Sequence, residues 1–148
     1  MNIRRLTLDD LEQLTALFDA YRVWYRKPSD PERASSFLHD RLKAGESHVF
    51  GAFDHDEMVG FTQLYPLFSS TRMGKLWLLN DLYVLPDYRG GGIGKLLLGA
   101  AKELARQTNS VGVMLETEKD NMIGNHLYPQ AGFHLETDFN HYFWSTER

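Results

Sequence analysis

The chain has 148 residues, of which 43% are hydrophobic and 13% aromatic, so one compact domain spanning residues 1–148 is expected. Its 16 Lys and Arg residues against 20 Asp and Glu residues give a net charge of -4, which predicts neither a nucleic-acid nor a membrane partner. Cysteine is absent, which excludes disulfides, thiolate nucleophiles and Cys-ligated zinc, and no metal site is predicted.

The sequence offers no segment for export or membrane insertion. The stretch "MNIRRLTLDD" lacks the apolar centre of a secretory signal. The longest apolar run, "LWLLNDLYVL", is interrupted by Asn80 and Asp81 and is far too short to cross a bilayer. A cytoplasmic location is therefore predicted.

The N-terminal part predicts an edge strand followed by a long helix. Residues 2–7 favour a short strand, and Thr7 then offers an N-cap with Asp10 in the first helical turn. Apolar residues recur at helical spacing and predict a helix to about Lys27, where Pro28 stops it. The members of that stripe are Leu11, Leu14, Leu17, Phe18, Tyr21, Trp24 and Tyr25.

A second helix, a hairpin and a buried strand follow. The helix is "SDPERASSFLHDRLKAG", capped by Ser29 or Asp30 and followed by Gly45. The segments "HVFGAF" and "MVGFTQLYPLF", joined by the turn "DHDE", predict an antiparallel hairpin. The strand from Lys75 to Leu85 is nearly all apolar, which predicts burial on both faces in the middle of a sheet.

The last third predicts a helix to about Gln107, a strand from Val111 to Glu118, and a short helix that closes near Gly132. The segments "FHLE" and "HYFWS" predict two final strands. This order of elements favours a mixed α/β sheet.

The stretch "YRGGGIGK", from Tyr88 to Lys95, lies between a strand and a helix. Bare amide groups at a helix N-terminus, beside Arg89, are suited to an anion such as a phosphate. The P-loop pattern fails because Arg89 stands where its first glycine is required and Leu96 where Ser or Thr is required. The dinucleotide pattern also fails because no frame supplies its third glycine. A turn without any ligand is the remaining alternative.

Two motifs resemble those of the GNAT superfamily of acyl-CoA-dependent N-acyltransferases. The first is the Arg-x-x-Gly-x-Gly run that begins at Arg89, after "LYVLPDY". The second is "NMIGNHLYPQAGF", which matches at Asn121, Tyr128, Gly132 and Phe133 and has glycine in the usual alanine place. The resemblance implies an α/β fold with a mixed, mostly antiparallel sheet, splayed middle strands and about four helices.

The same resemblance implies acetyl-CoA as the cofactor. Loop amides would face its pyrophosphate, and backbone groups of the strand before the loop would hold its pantetheine arm. The implied cofactor-binding residues are Leu82, Tyr83, Val84, Arg89, Gly90, Gly91, Gly92, Ile93, Gly94, Lys95 and Asn121. For Asn121 a plain helix cap is the alternative.

The resemblance also implies a general acid and a general base. Tyr128 matches the family tyrosine placed to protonate the leaving thiolate, with a packing role as the alternative. The segment "LWLLNDLYV" resembles "LEDFFV" of the diamine (spermidine/spermine) N-acetyltransferases, but Asn80 replaces their glutamate and cannot accept a proton. Asp81 is the nearest carboxylate, either as base or as a structural acceptor. Glu116, Glu118 and His126 are further candidates for the general base.

Aromatic residues near the end of the first helix are candidates for the acceptor site. Tyr21, Trp24 and Tyr25 could form core or wall an amine site by cation–π contact, and Asn80 would contact the substrate. The predicted reaction is acetyl transfer to a primary amine of a small polyamine-like or amino compound, or to a peptide lysine.

Two other functions are alternatives to this reaction. A coenzyme A-binding sensor without activity is one alternative, and a nucleotide hydrolase is another. The aromatic tail "FNHYFWSTER" predicts a homodimer.

Overall fold

A computed structural model describes residues 1–147 and divides the chain into two compact units, Met1–Glu116 and a second that begins at Thr117. Within the described residues there are five strands, four α-helices and two short 3₁₀ turns. The strands are β1 (Asn2–Arg5), β2 (His48–Asp54), β3 (Glu57–Ser69), β4 (Gly74–Val84) and β5 (Val113–Leu115). The helices are α1 (Leu11–Trp24), α2 (Pro31–Lys43), α3 (Ile93–Gln107) and, in the second unit, α4 (Met122–Gln130).

The first unit contains one mixed sheet in the order β1-β2-β3-β4-β5. β1 to β4 form a continuous antiparallel meander with β1 at its edge, and β5 pairs with β4 in parallel. A parallel pair needs a crossover, which α3 supplies. The structure confirms the predicted α/β class, the edge strand and the hairpin. It also confirms that the strand predicted from Lys75 to Leu85 lies inside the sheet, as β4 between β3 and β5.

Local sequence accounts for most helix ends. Thr7 and Asp10 form the capping box of a 3₁₀ turn, Leu8–Asp10, that leads into α1, and the Asp30 side chain accepts from the Arg33 N–H at the start of α2. α1 ends at Trp24 instead of continuing to about Lys27, because the backbone turns left-handed at Arg26 (φ 66°) ahead of Pro28.

Helices pack on the sheet in two clusters. One joins α1 and α2 to β2, β3 and β4 through Leu14, Phe18, Leu38, Phe61 and Tyr83. The other joins α3 to β2 and β3 through Ala52, Val59, Ile93 and Leu97. Glycine at position 60 allows α3 to pack closely on the sheet in the second cluster, since an added Cβ would lie 3.1 Å from the Tyr83 carbonyl and 3.4 Å from Ile93.

Two strand predictions are wrong. The segments 133–136 ("FHLE") and 141–145 ("HYFWS") form no strand in the described chain. Aromatic composition favours a pleated surface, but a strand exists only with a hydrogen-bonded neighbour, and no ladder among residues 1–147 reaches these segments. β5 is also shorter than predicted, so Glu116 and Glu118 follow the strand instead of lying on it.

No helix within residues 1–147 is both long enough and apolar enough to cross a membrane.

Candidate active site

β4 and its neighbour β5 separate part-way along β4. β4 and β5 pair only from Trp77↔Val113 to Leu79↔Leu115, whereas β4 continues to Val84. The half of β4 from Asn80 to Val84 is therefore paired with β3 on one side and, among residues 1–147, has no strand on the other. This agrees with the splay that the resemblance implied, and the unpaired edge of β4 from Asn80 to Val84 is here called the slot.

Backbone alternation decides which groups of β4 face that slot. The Leu85 N–H donates to the Val59 carbonyl at 2.9 Å, so the backbone of Leu85 faces β3. In an antiparallel pair the hydrogen-bonding direction alternates along the strand, so Tyr83 also faces β3. The main-chain groups of Leu82 and Val84 point the other way, toward the slot.

The glycine loop leads directly into α3. Gly90 (φ 83°) and Gly92 (φ 87°) adopt left-handed conformations that favour glycine, and Gly92 is the N-cap of α3. No side chain caps α3 and its first turn has no acidic residue, so neither a cap nor a first-turn carboxylate pairs with the amides there. With Arg89 and Lys95 exposed beside them, these donors fit a diphosphate.

Asp81 is a buried carboxylate in the middle of the sheet face that α1 covers. It is 3% exposed and accepts hydrogen bonds from the Gln63 side-chain amide and from Asn80 Nδ2, the latter at 3.0 Å. Burial raises the pKa of Asp81, and the hydrogen bonds from Gln63, Asn80 and Tyr21 oppose that rise in part. A carboxylate with a raised pKa is a stronger proton acceptor near neutral pH.

A bulge brings Asn80 and Asp81 together. Gln63 pairs with Asp81 and Leu64 with Leu79, so Asn80 is an extra residue in β4. An unbroken strand would direct successive side chains to opposite faces, but here the Asn80 amide reaches the Asp81 carboxylate. Side-chain alternation read from the sequence alone could not reveal this contact.

Tyr21 connects the aromatic end of α1 to this buried carboxylate. Its hydroxyl donates to the Asn80 carbonyl at 3.2 Å and also hydrogen-bonds Asp81. Its ring lies 5.0 Å from that of Tyr25, which in turn lies 4.9 Å edge-on from Trp24. Trp24 is about half exposed, so the three predicted aromatic residues run from the surface to Asp81.

Sequence reasoning missed two polar residues on β3. Gln63 lies opposite Asp81 and is completely buried. Tyr65 follows on the same face, and its pKa is raised by burial and by the charge of Asp81, with Arg41 acting in the opposite direction. The sequence feature that could have indicated Gln63 is a glutamine inside the mostly apolar run "MVGFTQLYPLF".

The second unit contains Asn121 and Tyr128. Asn121 is the N-cap of α4: its Oδ1 accepts from the Gly124 N–H at 3.1 Å, and its Nδ2 donates to Thr117 Oγ1 at 2.9 Å. A Cβ at Gly124 would lie 2.6 Å from that Nδ2, so glycine makes room for the cap. The Tyr128 ring lies 6.3 Å from the Phe133 ring.

The reserve candidates are less favoured by their surroundings. Glu116 and Glu118 lie beyond the last residue of β5, and exposed His126 hydrogen-bonds Gln130 at 3.1 Å. Asp81 is the carboxylate that the first unit places on β4 beside the splay.

A family model described as "Acetyltransferase (GNAT) family" matches residues 12–133. The chain is 43% identical to an uncharacterized N-acetyltransferase, YhfO, of Bacillus subtilis, over 96% of this chain and 95% of that protein. A crystal structure of a probable acetyltransferase is 36% identical, with a TM-score of 0.95, over 100% of this chain and 99% of that one. A spermidine N(1)-acetyltransferase of Thermoplasma acidophilum is 23% identical over 92% of this chain and 89% of that protein.

Proposed function

This chain belongs to the GNAT family and is an acetyl-transferring enzyme, and from that premise we propose that it transfers the acetyl group of acetyl-CoA to a primary amine. The amine would be that of a small polyamine-like or amino compound, or of a peptide lysine, attacking directly in a ternary complex. The observation that carries the proposal is the combination of an uncapped α3 N-terminus with a buried carboxylate beside the splay. The family match across residues 12–133 spans both compact units, which supports a single catalytic domain.

Acetyl-CoA supplies the acetyl group as a thioester. Amides from Arg89 to Lys95 would bind its pyrophosphate, and the Leu82 and Val84 backbone groups that face the slot would bind its pantetheine arm. Tyr83 is the least suited of the predicted contacts because its backbone faces β3 and its ring is in the core. Asn121 would contribute by holding the start of α4 in place.

The amine must lose a proton before it attacks. A lysine-like amine has a pKa of about 10.4, so presenting it neutral at pH 7 costs about 4 to 5 kcal/mol. Asp81 is the proposed acceptor of that proton, with the Tyr21 hydroxyl as its link to the substrate side and the Asn80 amide holding the carboxylate in place. Tyr128 is the proposed general acid, because a phenol retains its proton at neutral pH.

The acceptor is proposed to be a cation, for two reasons. Trp24 and Tyr25 offer ring faces near the surface, and aromatic rings attract ammonium groups. The protein has a net charge of -4, and one relative, 23% identical, is named a spermidine N(1)-acetyltransferase. The cofactor-binding sensor is the competing function, since Asn80 replaces the glutamate of the diamine enzymes.

Thiol release from acetyl-CoA, measured against mono-, di- and polyamines and lysine peptides, tests the proposal. We expect turnover with at least one di- or polyamine, intersecting initial-rate lines, and a higher KM for it in Trp24→Ala than in the neighbouring control Val23→Ala. Coenzyme binding with no turnover on any amine would identify the sensor.

We also propose a homodimer formed through the C-terminal segment. Phe139, Tyr142, Phe143 and Trp144 are all largely exposed, and contiguous exposed apolar side chains mark association surfaces.

A further inference from the structure

Gln63 and Asp81 form a buried polar pair in which one hydrogen-bonding atom is left over. The two residues are paired across the β3–β4 ladder, and Gln63 Nε2 donates to Asp81 Oδ2. Asn80 Nδ2 donates to the other carboxylate oxygen. Both carboxylate oxygens thus act as acceptors, which is the arrangement of the ionised form.

The remaining atom of this pair is Gln63 Oε1, which is buried and has no hydrogen-bond partner among the described residues. A buried carbonyl oxygen without a donor is costly and calls for an explanation. A donor that could reach this oxygen is the O–H that the Asp81 carboxyl gains on protonation, because the Gln63 amide already contacts that carboxyl. Rotating the Gln63 amide by half a turn about its terminal bond, a torsion with broad two-fold preference, would exchange Nε2 for Oε1 at the carboxyl.

We propose that Gln63 is a positioning residue for Asp81, and that its amide reverses from donor to acceptor when Asp81 takes a proton. The inference rests on the proposed role of Asp81 as the proton acceptor. The proton leaves the substrate nitrogen and forms an O–H bond at Oδ2, while the carboxyl charge goes from -1 to zero. The amide rotates without gaining or losing a proton, and the carboxyl keeps one orientation through the cycle.

Other groups face the same carboxyl. Tyr21 reaches it from α1, and Tyr65 on β3 interacts with its charge. Arg41 on α2 acts on Tyr65 in the opposite sense. The pKa of Tyr65 is raised by burial and by the charge of Asp81, which favours its protonated form. His48, on the neighbouring strand β2 opposite Leu64, has a pKa lowered by burial, so only the part of the Gln63 change that Asp81→Asn abolishes is attributed to Asp81.

The first test needs neither cofactor nor turnover. In the intact protein, NMR follows the Asp81 carboxyl carbon and the Gln63 side-chain amide from pH 4 to pH 9. The proposal predicts that both titrate with one midpoint and that Asp81→Asn abolishes the pH dependence of the Gln63 signals. Gln63 signals that stay constant while Asp81 titrates would overturn it.

A matched pair of variants separates positioning from general stability. Gln63→Leu removes a donor to the charged form, so the Asp81 midpoint should rise by about one pH unit. Thr62→Val is the control, because its hydroxyl donates at 2.8 Å to the Asp81 main-chain carbonyl and not to the carboxylate. It should lower the melting temperature without moving the midpoint, and equal shifts in both variants would refute positioning.

Kinetics then distinguish this inference from the proposed function. In Gln63→Leu the acid limb of kcat/KM should move by the same amount as the NMR midpoint. Coupled titration with an unmoved kinetic limb would uphold the Gln63–Asp81 pair and identify another residue as the base. If Gln63→Leu does not fold, the comparison of the native protein with Asp81→Asn still decides the inference.

Discussion

Arg89 Nε donates to the main-chain carbonyl of Val84 at 2.8 Å, which ties the glycine loop to the last residue of β4. The guanidinium also lies 5.4 Å from the centre of the Tyr83 ring. Arg89 therefore joins the loop proposed to hold the pyrophosphate to the strand end proposed to hold the pantetheine arm.

Arg89→Ala should weaken coenzyme A binding about 10- to 100-fold, because a hydrogen bond to a charged group contributes about 1.5 to 3 kcal/mol. Isothermal titration calorimetry with coenzyme A measures this. Arg106→Ala, in the last turn of α3, is the control and should bind normally. Equal affinity in both variants would remove Arg89 from the site.

Gly91→Ala should fold normally yet bind coenzyme A more weakly. An added Cβ at Gly91 meets nothing closer than the Tyr88 carbonyl at 3.8 Å, so the protein itself tolerates it. Only a ligand against the loop would collide with the methyl group. Gly99→Ala, in open space within α3, should bind normally and raise stability by up to about 1 kcal/mol. Normal binding by Gly91→Ala would contradict the proposed cradle.

Asp81→Asn should lower kcat about 10²- to 10⁴-fold, the usual contribution of a general base. Near neutral pH the same substitution should not destabilise the fold, although it lowers kcat. Burial raises the pKa of Asp81, so its contribution to the free energy of unfolding is complete at low pH and declines as pH rises through that pKa. The variant should lose this decline and melt no lower than the native protein at pH 7.

Two outcomes would contradict the Asp81 prediction. An unchanged rate and pH profile would show that Asp81 is a structural acceptor. A melting temperature at pH 7 well below the native value would show that the charged form stabilises the fold.

Tyr128→Phe should lower kcat about 10²-fold or more while leaving coenzyme A affinity unchanged, because it removes the proton and keeps the ring beside Phe133. Steady-state kinetics measures kcat, and calorimetry measures the affinity for coenzyme A. Tyr142→Phe, an exposed tyrosine of the tail, serves as control and should retain full activity. A kcat equal to that control would assign Tyr128 to packing.

The C-terminal segment should hold two copies together. Light scattering on a sizing column should give twice the monomer mass at micromolar concentration, and the double substitution Phe143→Ser with Trp144→Ser should give the monomer mass. Met73→Ser, equally exposed but outside the tail, should remain dimeric. A native protein of monomer mass would exclude the dimer.

Several features could be read from the sequence because they depend on residues close together in the chain. A cap at Ser29 or Asp30, a glycine turn between a strand and a helix, and the amphipathic stripe of α3 each follow from local backbone and side-chain preferences. The two short motifs identified the family, and the comparisons confirmed it.

The tertiary structure decided what depends on strand register and on pairing partners. The Asn80 bulge turns two adjacent side chains toward each other, and the β3–β4 ladder sets Gln63 against Asp81, eighteen positions along the chain. A one-residue change of register would send these side chains to the opposite face, and no local preference fixes that choice. The C-terminal segment illustrates the converse, since its aromatic pattern favours strands but a strand forms only where another strand is available to pair with it.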